Sequence, residues 1–190
     1  MLINIRGTSG SGKSHIIRQV MEAYGGKDSF IRQKLEGRKQ PLAYFKTNDE
    51  THRFLYIPGH YETACGGCDT IHGNDTIFDL VRKAHGNGYD VLFEGLILSV
   101  EFNRTLLLAQ ECAPVRVFAI NIPLEECLAS INFRRQLKNP DAPDVNPVNS
   151  KNKWQQTQRA MERLKLAGVD ARMGNREEVL AWTKESLRVH

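Results

Sequence analysis

The sequence predicts an α/β fold in which a parallel sheet carries helices on both faces. Along the chain, short apolar runs that are typical of buried strands alternate with segments of helical periodicity. The first strand is followed by a glycine-rich stretch and then by the first helix. Because right-handed crossovers bring ligands to the carboxyl ends of parallel strands, we expect the functional site at that edge of the sheet.

The first strand and helix surround the most informative motif. Residues 2–5 predict a buried strand, and residues 14–24 repeat apolar side chains at helical spacing. The stretch between them reads Gly7-Thr8-Ser9-Gly10-Ser11-Gly12-Lys13-Ser14 and fits G-x4-G-K-[ST] at every fixed position. Its glycines allow backbone N–H groups to converge on an anion, and the helix adds its positive dipole end. We predict a phosphate loop for ATP or GTP, with Lys13 reaching the β/γ-phosphates and Ser14 completing a Mg²⁺ site.

The next third of the chain departs from simple alternation. The runs 41–47 and 52–58 flank a polar turn and predict a β-hairpin, which we place over the sheet edge near the acceptor side. Residues 59–73 are rich in glycine and polar side chains, which predicts an ordered functional loop. Residues 75–85 then predict a helix, and residues 90–94 predict a buried strand that ends in Glu94.

The last third returns to the regular pattern. Apolar spacing and terminal residues predict strands at 115–122 and 169–172 and helices at 102–112, 123–135, 151–167 and 177–187. Residues 139–149, rich in proline and asparagine, predict a mobile segment. We interpret residues 1–190 as a single domain, with a lid at about 132–153 and a substrate hairpin and loop at about 41–73.

Composition excludes several classes of protein. The 190 residues are 41% hydrophobic and 25% charged, without an apolar run of bilayer length or the charge layout of a signal peptide. We therefore expect a cytoplasmic protein. Four cysteines in a chain of this length do not predict a disulfide framework, and Cys112 and Cys127 lie on apolar helix faces that predict core positions.

The net charge of +4 is unevenly distributed. Residues 132–165 hold eight basic and three acidic side chains, and residues 27–53 hold seven and four. Such clustering favours a polyanionic second substrate, although ATP handling and solvated helix faces are alternative explanations.

Phosphoryl transfer needs held phosphates, neutralised charge and an oriented acceptor hydroxyl. Arg134 and Arg135 lie near the end of a predicted helix, where they are candidates to close over the γ-phosphate; the alternative is a solvated helix terminus. Glu94 ends a buried strand and is a candidate to hold Mg²⁺, directly or through water, unless it only caps the next turn.

In the loop 59–73, Asp69 is the first candidate for the base that accepts the hydroxyl proton, and Glu62 is the second. Asp69 has a structural alternative as a helix or turn cap.

The same region carries two further patterns, and each of them also has an interpretation that involves no metal or base. The side chains His60, Cys65, Cys68 and His72 have a spacing that resembles a zinc site, although Gly66 and Gly67 between the cysteines also suit a bent substrate loop. Five aromatic side chains lie among basic residues and are candidates to stack on an unpaired base: Tyr44, Phe45, Phe54, Tyr56 and Tyr61. Packing within the hairpin accounts for the same alternation.

The phosphate loop, the strand that ends in Glu94-Gly95 and the Arg134-Arg135 pair resemble the P-loop kinases of nucleotides, polynucleotide ends and small hydroxyl compounds. Within that group, Gly59-His60-Tyr61-Glu62 and Gly66-Gly67-Cys68-Asp69-Thr70-Ile71 look like the bacteriophage kinases that act on 5-hydroxymethyluracil in DNA. The resemblance implies a P-loop kinase fold, phosphorylation of the hydroxymethyl group ahead of hypermodification, and a flipped base near the loop. It also implies the host cytoplasm as the location if a phage encodes the protein. It implies substrate contacts by the residues His60, Tyr61, Glu62, Asp69 and Thr70. Glu94 stands where these kinases often carry an aspartate for Mg²⁺.

Three functions are compatible with these residues. The first is an ATP-dependent kinase for a hydroxymethylated base in DNA, and the second is a nucleoside, nucleotide or small-molecule kinase. The third is a nucleotide-binding ATPase or switch, for which we find no nucleotide-sensing loop or base-specificity motif. Oligomeric state is left open by the sequence.

Overall fold

The computed structural model of the chain describes residues 1–63 and 66–190, whose strands form one seven-stranded sheet. The strands are β1 (Leu2–Arg6), β2 (Ile31–Gln33), β3 (Ala43–Thr47), β4 (Phe54–Pro58), β5 (Asp90–Glu94), β6 (Val115–Ile120) and β7 (Asp170–Gly174). Their spatial order is β2-β3-β4-β5-β1-β6-β7. Strands β4, β5, β1, β6 and β7 are parallel, whereas β3 is antiparallel to both β4 and β2. The predicted α/β class is confirmed.

Helices cover both faces of this sheet. They are α1 (Lys13–Ala23), α2 (Asn74–Gly86), α3 (Asn103–Glu111), α4 (Leu124–Lys138), α5 (Pro147–Leu166) and α6 (Arg176–Leu187). One apolar core joins one face of the sheet to α2, α3 and α5, and the other joins the opposite face to α1, α6 and the start of α4. Strand β1 supplies both cores, since Leu2 faces one and Ile3 faces the other, as alternation along a strand requires. No helix in the described residues is long and apolar enough to span a membrane.

The register of the central strands places the functional site. Strand β1 lies between β5 and β6, with Ile5 paired to Glu94 and Arg6 paired to Ala119. The end of β1 therefore lies beside the end of β5, and the chain segments that follow both strands meet at one edge. This edge holds the glycine-rich loop between β1 and α1 and the turn that follows β5.

The predicted hairpin is present, but its predicted position over the sheet edge is wrong. Strands β3 and β4 pair antiparallel, and β4 continues the sheet by pairing Leu55 with Asp90 of β5. The turn is stabilised by the Asn48 side chain, which accepts hydrogen bonds from the amides of Glu50 and Thr51 at 2.8 and 2.9 Å. The strands pair edge to edge because β4 offers free backbone groups that β5 can satisfy.

Two other elements differ from the predictions. Strand β2 was not predicted, because three residues with a charged centre carry too little periodicity to indicate a strand. Helix α5 begins at Pro147, inside the segment 139–149 for which we predicted a mobile segment. Asn146 caps this helix by accepting a hydrogen bond from the amide of Val148 at 2.9 Å, and proline suits the first helical position because its missing N–H would be unpaired there.

Candidate active site

The glycine-rich loop turns sharply between β1 and α1. Gly10 and Gly12 have φ values of 79° and 106°, a region that favours glycine. A Cβ atom on Gly10 would lie 2.2 Å from the backbone oxygen of Cys127 in α4, so the loop also packs closely against its neighbour. Both requirements explain why residue 10 of this chain is glycine, although the pattern G-x4-G-K-[ST] allows any residue there.

A buried arginine supports the start of this loop, and sequence reasoning missed it. Arg6 is fully buried and donates hydrogen bonds to Asn4 Oδ1 at 2.7 Å and to Thr105 Oγ1 at 2.6 Å. Burial lowers the pKa of Arg6 to about 9. The hydroxyl of Ser99 accepts a hydrogen bond from the Gly7 amide at 3.1 Å. These contacts fix the point at which the chain leaves β1.

Lys13 lies inside the loop that it is predicted to serve. Its ammonium group donates to the carbonyl oxygens of Gly7 at 2.9 Å and Thr8 at 3.1 Å. Burial lowers the pKa of Lys13, while the negative charges of Glu94 and Asp69 act in the opposite direction. The cation is therefore oriented by the loop itself, at the place where a phosphate chain would enter.

Ser14 and Glu94, the predicted magnesium residues, are in direct contact. The Ser14 hydroxyl donates a hydrogen bond to Glu94 Oε1 at 2.7 Å, because the parallel pairing of β1 and β5 brings the two segments together. Burial raises the pKa of Glu94, and the charge of Lys13 partly opposes this effect. Across the described ranges, no three histidine, cysteine, aspartate or glutamate side chains gather as a metal-binding group. The pair offers oxygen ligands, which are the kind that Mg²⁺ prefers.

A cleft of about 760 Å³ opens at this edge of the sheet. Its polar and charged lining comprises Ser9, Lys13, Ser14, His15, Arg18, Asp69, Thr70, Glu94, Ser130, Arg134 and Arg176. The side chains of Leu96 and Phe133 supply apolar surface. The cleft therefore brings the phosphate loop, two carboxylates and several cations together, as transfer of a charged group requires.

Asp69 lies in the cleft and also stabilises a neighbouring turn. It belongs to a short 3₁₀ turn at Cys68–Thr70, and both its carboxylate oxygens accept a hydrogen bond from the Leu96 amide, at 2.9 and 2.8 Å. The Ile97 amide lies 3.4 Å from Oδ1. Asp69 therefore acts as a cap, which was the structural alternative to its catalytic role. The turn that it caps follows β5 and is distant in sequence. A carboxylate has about four acceptor positions, so these contacts leave capacity for a further hydrogen bond, and the role of Asp69 as the base stays a prediction.

The two predicted lid arginines lie in different surroundings. Arg134 lines the cleft, and its positive charge opposes protonation of Lys13. Its Nε donates to the Ser130 carbonyl at 3.2 Å, because α4 continues past it to Lys138. Arg135 is exposed and lies outside the cleft lining, so its contact with phosphate stays a prediction.

Two further arginines line the cleft and were missed. Arg18 lies one helical turn beyond Ser14 on α1, and this i,i+4 spacing was a usable signal. Arg176 begins α6, and its Nε donates to the Ser11 carbonyl at 2.9 Å. No local pattern connects residues 165 positions apart, so only the fold reveals Arg176.

The other predicted substrate contacts have different surroundings. His60 and Tyr61 are buried, and burial raises the pKa of Tyr61 well above its usual value. Glu62 lies outside the cleft lining, where it pairs with Lys27 at 2.6 Å and Arg32 at 3.4 Å. Of the predicted set, Asp69 and Thr70 line the cleft. The roles of His60, Tyr61 and Glu62 toward the acceptor stay predictions.

The residues of the predicted zinc and base-stacking patterns have mixed surroundings. Cys65 of the zinc pattern lies outside the described residues, whereas Cys68 is a buried free thiol and His72 is exposed. The free thiols of Cys112 and Cys127 are buried, as predicted. Among the aromatic residues, Tyr44, Tyr56 and Tyr61 are buried. The ring of Phe54 packs against Phe45 and Tyr89 with centroid distances of 6.5 and 5.3 Å. Packing therefore accounts for these aromatic residues.

Comparisons with known proteins agree on one family. No protein-family model matches the chain. A "5-hmdU DNA kinase" from Pseudomonas phage PaMx11 is 44% identical over 98% of this chain and 96% of its own length. A protein of the same name from Delftia phage PhiW-14 is 26% identical, with 94% of this chain and 69% of that protein covered. Another, from Bacillus phage SP10, is 25% identical over 89% of this chain but only 26% of its own length. With a phosphate loop facing a carboxylate across one cleft, and with this similarity over nearly its whole length, the chain belongs to the 5-hmdU DNA kinase family.

Proposed function

We propose that this protein transfers the γ-phosphoryl group of ATP to the 5-hydroxymethyl group of 5-hydroxymethyluracil bases in DNA. The observation that supports the proposal is the shared cleft, which is lined by Lys13 and Ser14 of the phosphate loop and by Asp69. The acceptor is proposed from the relatives, which are named 5-hmdU DNA kinases. A donor site alone would suit an ATPase, and the opposed carboxylate supports a kinase.

On the donor side, the loop amides and Lys13 hold the β- and γ-phosphates. The ammonium group exchanges its present carbonyl partners, Gly7 and Thr8, for phosphate oxygens, which are stronger acceptors because they are charged. Ser14 and Glu94 would hold Mg²⁺, directly or through water, and the ion neutralises charge on the phosphates when bound.

On the acceptor side, Asp69 orients the hydroxymethyl group. The hydroxyl oxygen bonds to the γ-phosphorus while the bond from that phosphorus to the β,γ-bridging oxygen breaks, and ADP leaves. The hydroxyl proton passes to the Asp69 carboxylate. Arg18, Arg134 and Arg176 place positive charge around the transferred group, where it stabilises the transition state. Because the Leu96 amide holds both Asp69 oxygens, the base is fixed before substrate arrives.

The direct test uses γ-labelled ATP and two single-stranded oligonucleotides that differ at one position. One carries 5-hydroxymethyluracil, and the matched control carries thymine. We expect label in the first oligonucleotide alone, because thymine lacks the hydroxyl group. Label in both oligonucleotides, or in free phosphate only, would contradict the proposal, and acceptor-independent turnover would favour the ATPase alternative.

A nucleoside, nucleotide or small-molecule kinase is the second candidate, because a cleft of about 760 Å³ also accommodates a monomeric acceptor. Salt dependence separates the two candidates. Affinity for DNA falls steeply with added salt because bound counterions are released, whereas a neutral nucleoside releases none. We expect the KM for the oligonucleotide to rise strongly between about 50 and 200 mM salt. A flat response, with efficient phosphorylation of free 5-hydroxymethyldeoxyuridine, would favour the second candidate.

A further inference from the structure

A second groove shares a wall with the active-site cleft. Its volume is about 480 Å³, and Asp69 and Thr70 line both cavities. We call it the isoleucine groove, because Ile71, Ile77 and Ile97 form its apolar surface. Its remaining polar side chains belong to His72 and Asn74. The two cavities therefore meet at the carboxylate that is proposed to accept the hydroxyl proton.

The apolar surface of this groove is fixed in place. Ile71 and Ile77 belong to the core beneath α2, whereas Ile97 is 52% exposed on the turn after β5. The hydrogen bonds from the Leu96 amide to Asp69 hold that turn against the loop. An isoleucine that is held rigidly and half exposed beside two buried ones offers a surface for a flat apolar face.

Two polar side chains of the groove, those of His72 and Asn74, are uncommitted in the part of the chain that the structure describes. In residues 1–63 and 66–190, no hydrogen bond or ion pair engages the side chains of His72 and Asn74. By contrast, the Thr70 hydroxyl donates to the Gly67 carbonyl at 2.7 Å and is already used. An apolar surface with uncommitted donors and acceptors along its rim matches a pyrimidine, which has apolar faces and a hydrogen-bonding edge.

We propose that the isoleucine groove holds the pyrimidine ring of the acceptor nucleotide, with its 5-substituent directed to Asp69. This inference rests on the proposed function, because it takes Asp69 as the base. The active-site cleft must hold the triphosphate against Lys13, and the acceptor oxygen must reach Asp69 from the other side. The adjoining groove is the space beyond Asp69, and His72 and Asn74 then meet the edge of the ring.

The first experiment compares Ile97→Ala with the control Leu166→Ala. Leu166 is 88% exposed at the end of α5, and the next strand begins at Asp170, so it lies at the opposite edge of the sheet from the site. We expect Ile97→Ala to raise the KM for 5-hydroxymethyluracil DNA about 10-fold, the effect of losing apolar contact with a substrate, and to leave the KM for ATP unchanged.

Ile97→Val should restore most of the affinity for DNA, and Leu166→Ala should leave both KM values unchanged. Equal KM values for DNA in the wild type and Ile97→Ala would overturn the inference. So would a parallel rise in both KM values together with a lower Tm, because that pattern indicates general destabilisation.

The second experiment locates the base directly. An oligonucleotide with 5-iodouracil at the acceptor position is irradiated with the intact protein and an ATP analogue, and the crosslinked peptide is identified. We expect a crosslink within residues 68–77 or at Ile97. A crosslink on α4, where Phe133 also lines the active-site cleft, would place the ring elsewhere and overturn the inference. A wild-type protein that phosphorylates no DNA base would instead overturn the proposed function, so the two failures are distinguishable.

Discussion

Replacing Asp69 with asparagine separates its chemical role from its structural one. The carboxylate accepts two contacts from the Leu96 amide at 2.8 and 2.9 Å, and asparagine keeps one oxygen that can accept such a bond. A hydrogen bond to a charged group contributes about 1.5–3 kcal/mol. Because Asp69 is exposed and asparagine keeps half of the acceptor capacity, we expect about half of such a contribution to be lost, about 1 kcal/mol. For a chain of this size, the corresponding decrease in Tm is about 2–4 °C.

The expected chemical effect of Asp69→Asn is much larger. Asparagine cannot take the hydroxyl proton, and a positioned general base contributes about 100-fold or more to the rate. We expect kcat to fall by that factor, while the Kd for ATP stays within about 3-fold because the donor loop is intact.

The assay for Asp69→Asn combines single-turnover phosphorylation with calorimetry of ATP binding and thermal melting. Asp79→Asn is the matched control, since Asp79 lies on α2 and pairs with Arg82 at 3.4 Å on the surface, outside the cleft lining. An Asp69→Asn protein that retains a third or more of the wild-type kcat would refute the assignment of the base. Loss of ATP binding together with kcat would refute the separation of donor and acceptor roles.

Three further perturbations test other parts of the molecule. Lys13→Ala should abolish turnover and weaken ATP binding by about 10-fold or more in calorimetry, with little change in Tm, because it removes a charged partner of the phosphates. Gly10→Ala should lower the free energy of unfolding by about 2 kcal/mol more than Gly37→Ala, measured by urea denaturation, since both have positive φ but only Gly10 would meet a backbone atom. The third perturbation concerns Glu62, whose pKa is lowered below 4.5 by the hydrogen bond that it accepts from Lys27. The stabilisation by this carboxylate is therefore complete above pH 4.5 and is lost as the pH falls through the folded-state pKa. Glu62→Gln should therefore flatten the decrease in Tm below pH 4.5, and an unchanged acid slope would contradict this assignment.

The donor half of the site could be predicted from the sequence because its chemistry is local. Eight consecutive residues supply the phosphate loop, and the apolar runs on either side identify the strand and helix that hold it. Glu94 was identified as a candidate in the same way, since a carboxylate at the end of a buried strand must emerge at the functional edge of a parallel sheet. The contact between Glu94 and Ser14 then follows from the pairing of β5 with β1.

The acceptor half could be predicted only in part. Asp69 was identified as a candidate from its loop, but the amide of Leu96 that fixes it lies 27 residues away. Glu62 was a reasonable second candidate from its position in the loop, yet it pairs with Lys27 and Arg32 away from the cleft. A glycine-rich loop has no periodicity, so nothing in the sequence indicates which of its side chains point inward.

By itself, the sequence determined the fold class, the position of the glycine-rich loop and the alternation of strands and helices, because each depends on residues that are neighbours along the chain. Only the tertiary structure decided that the hairpin extends the sheet, that Arg176 reaches the phosphate loop and that Ile97 adjoins Asp69. The physical reason is that apolar periodicity reports which side of an element is buried. It does not report which distant element covers that side, and active sites form where distant elements meet.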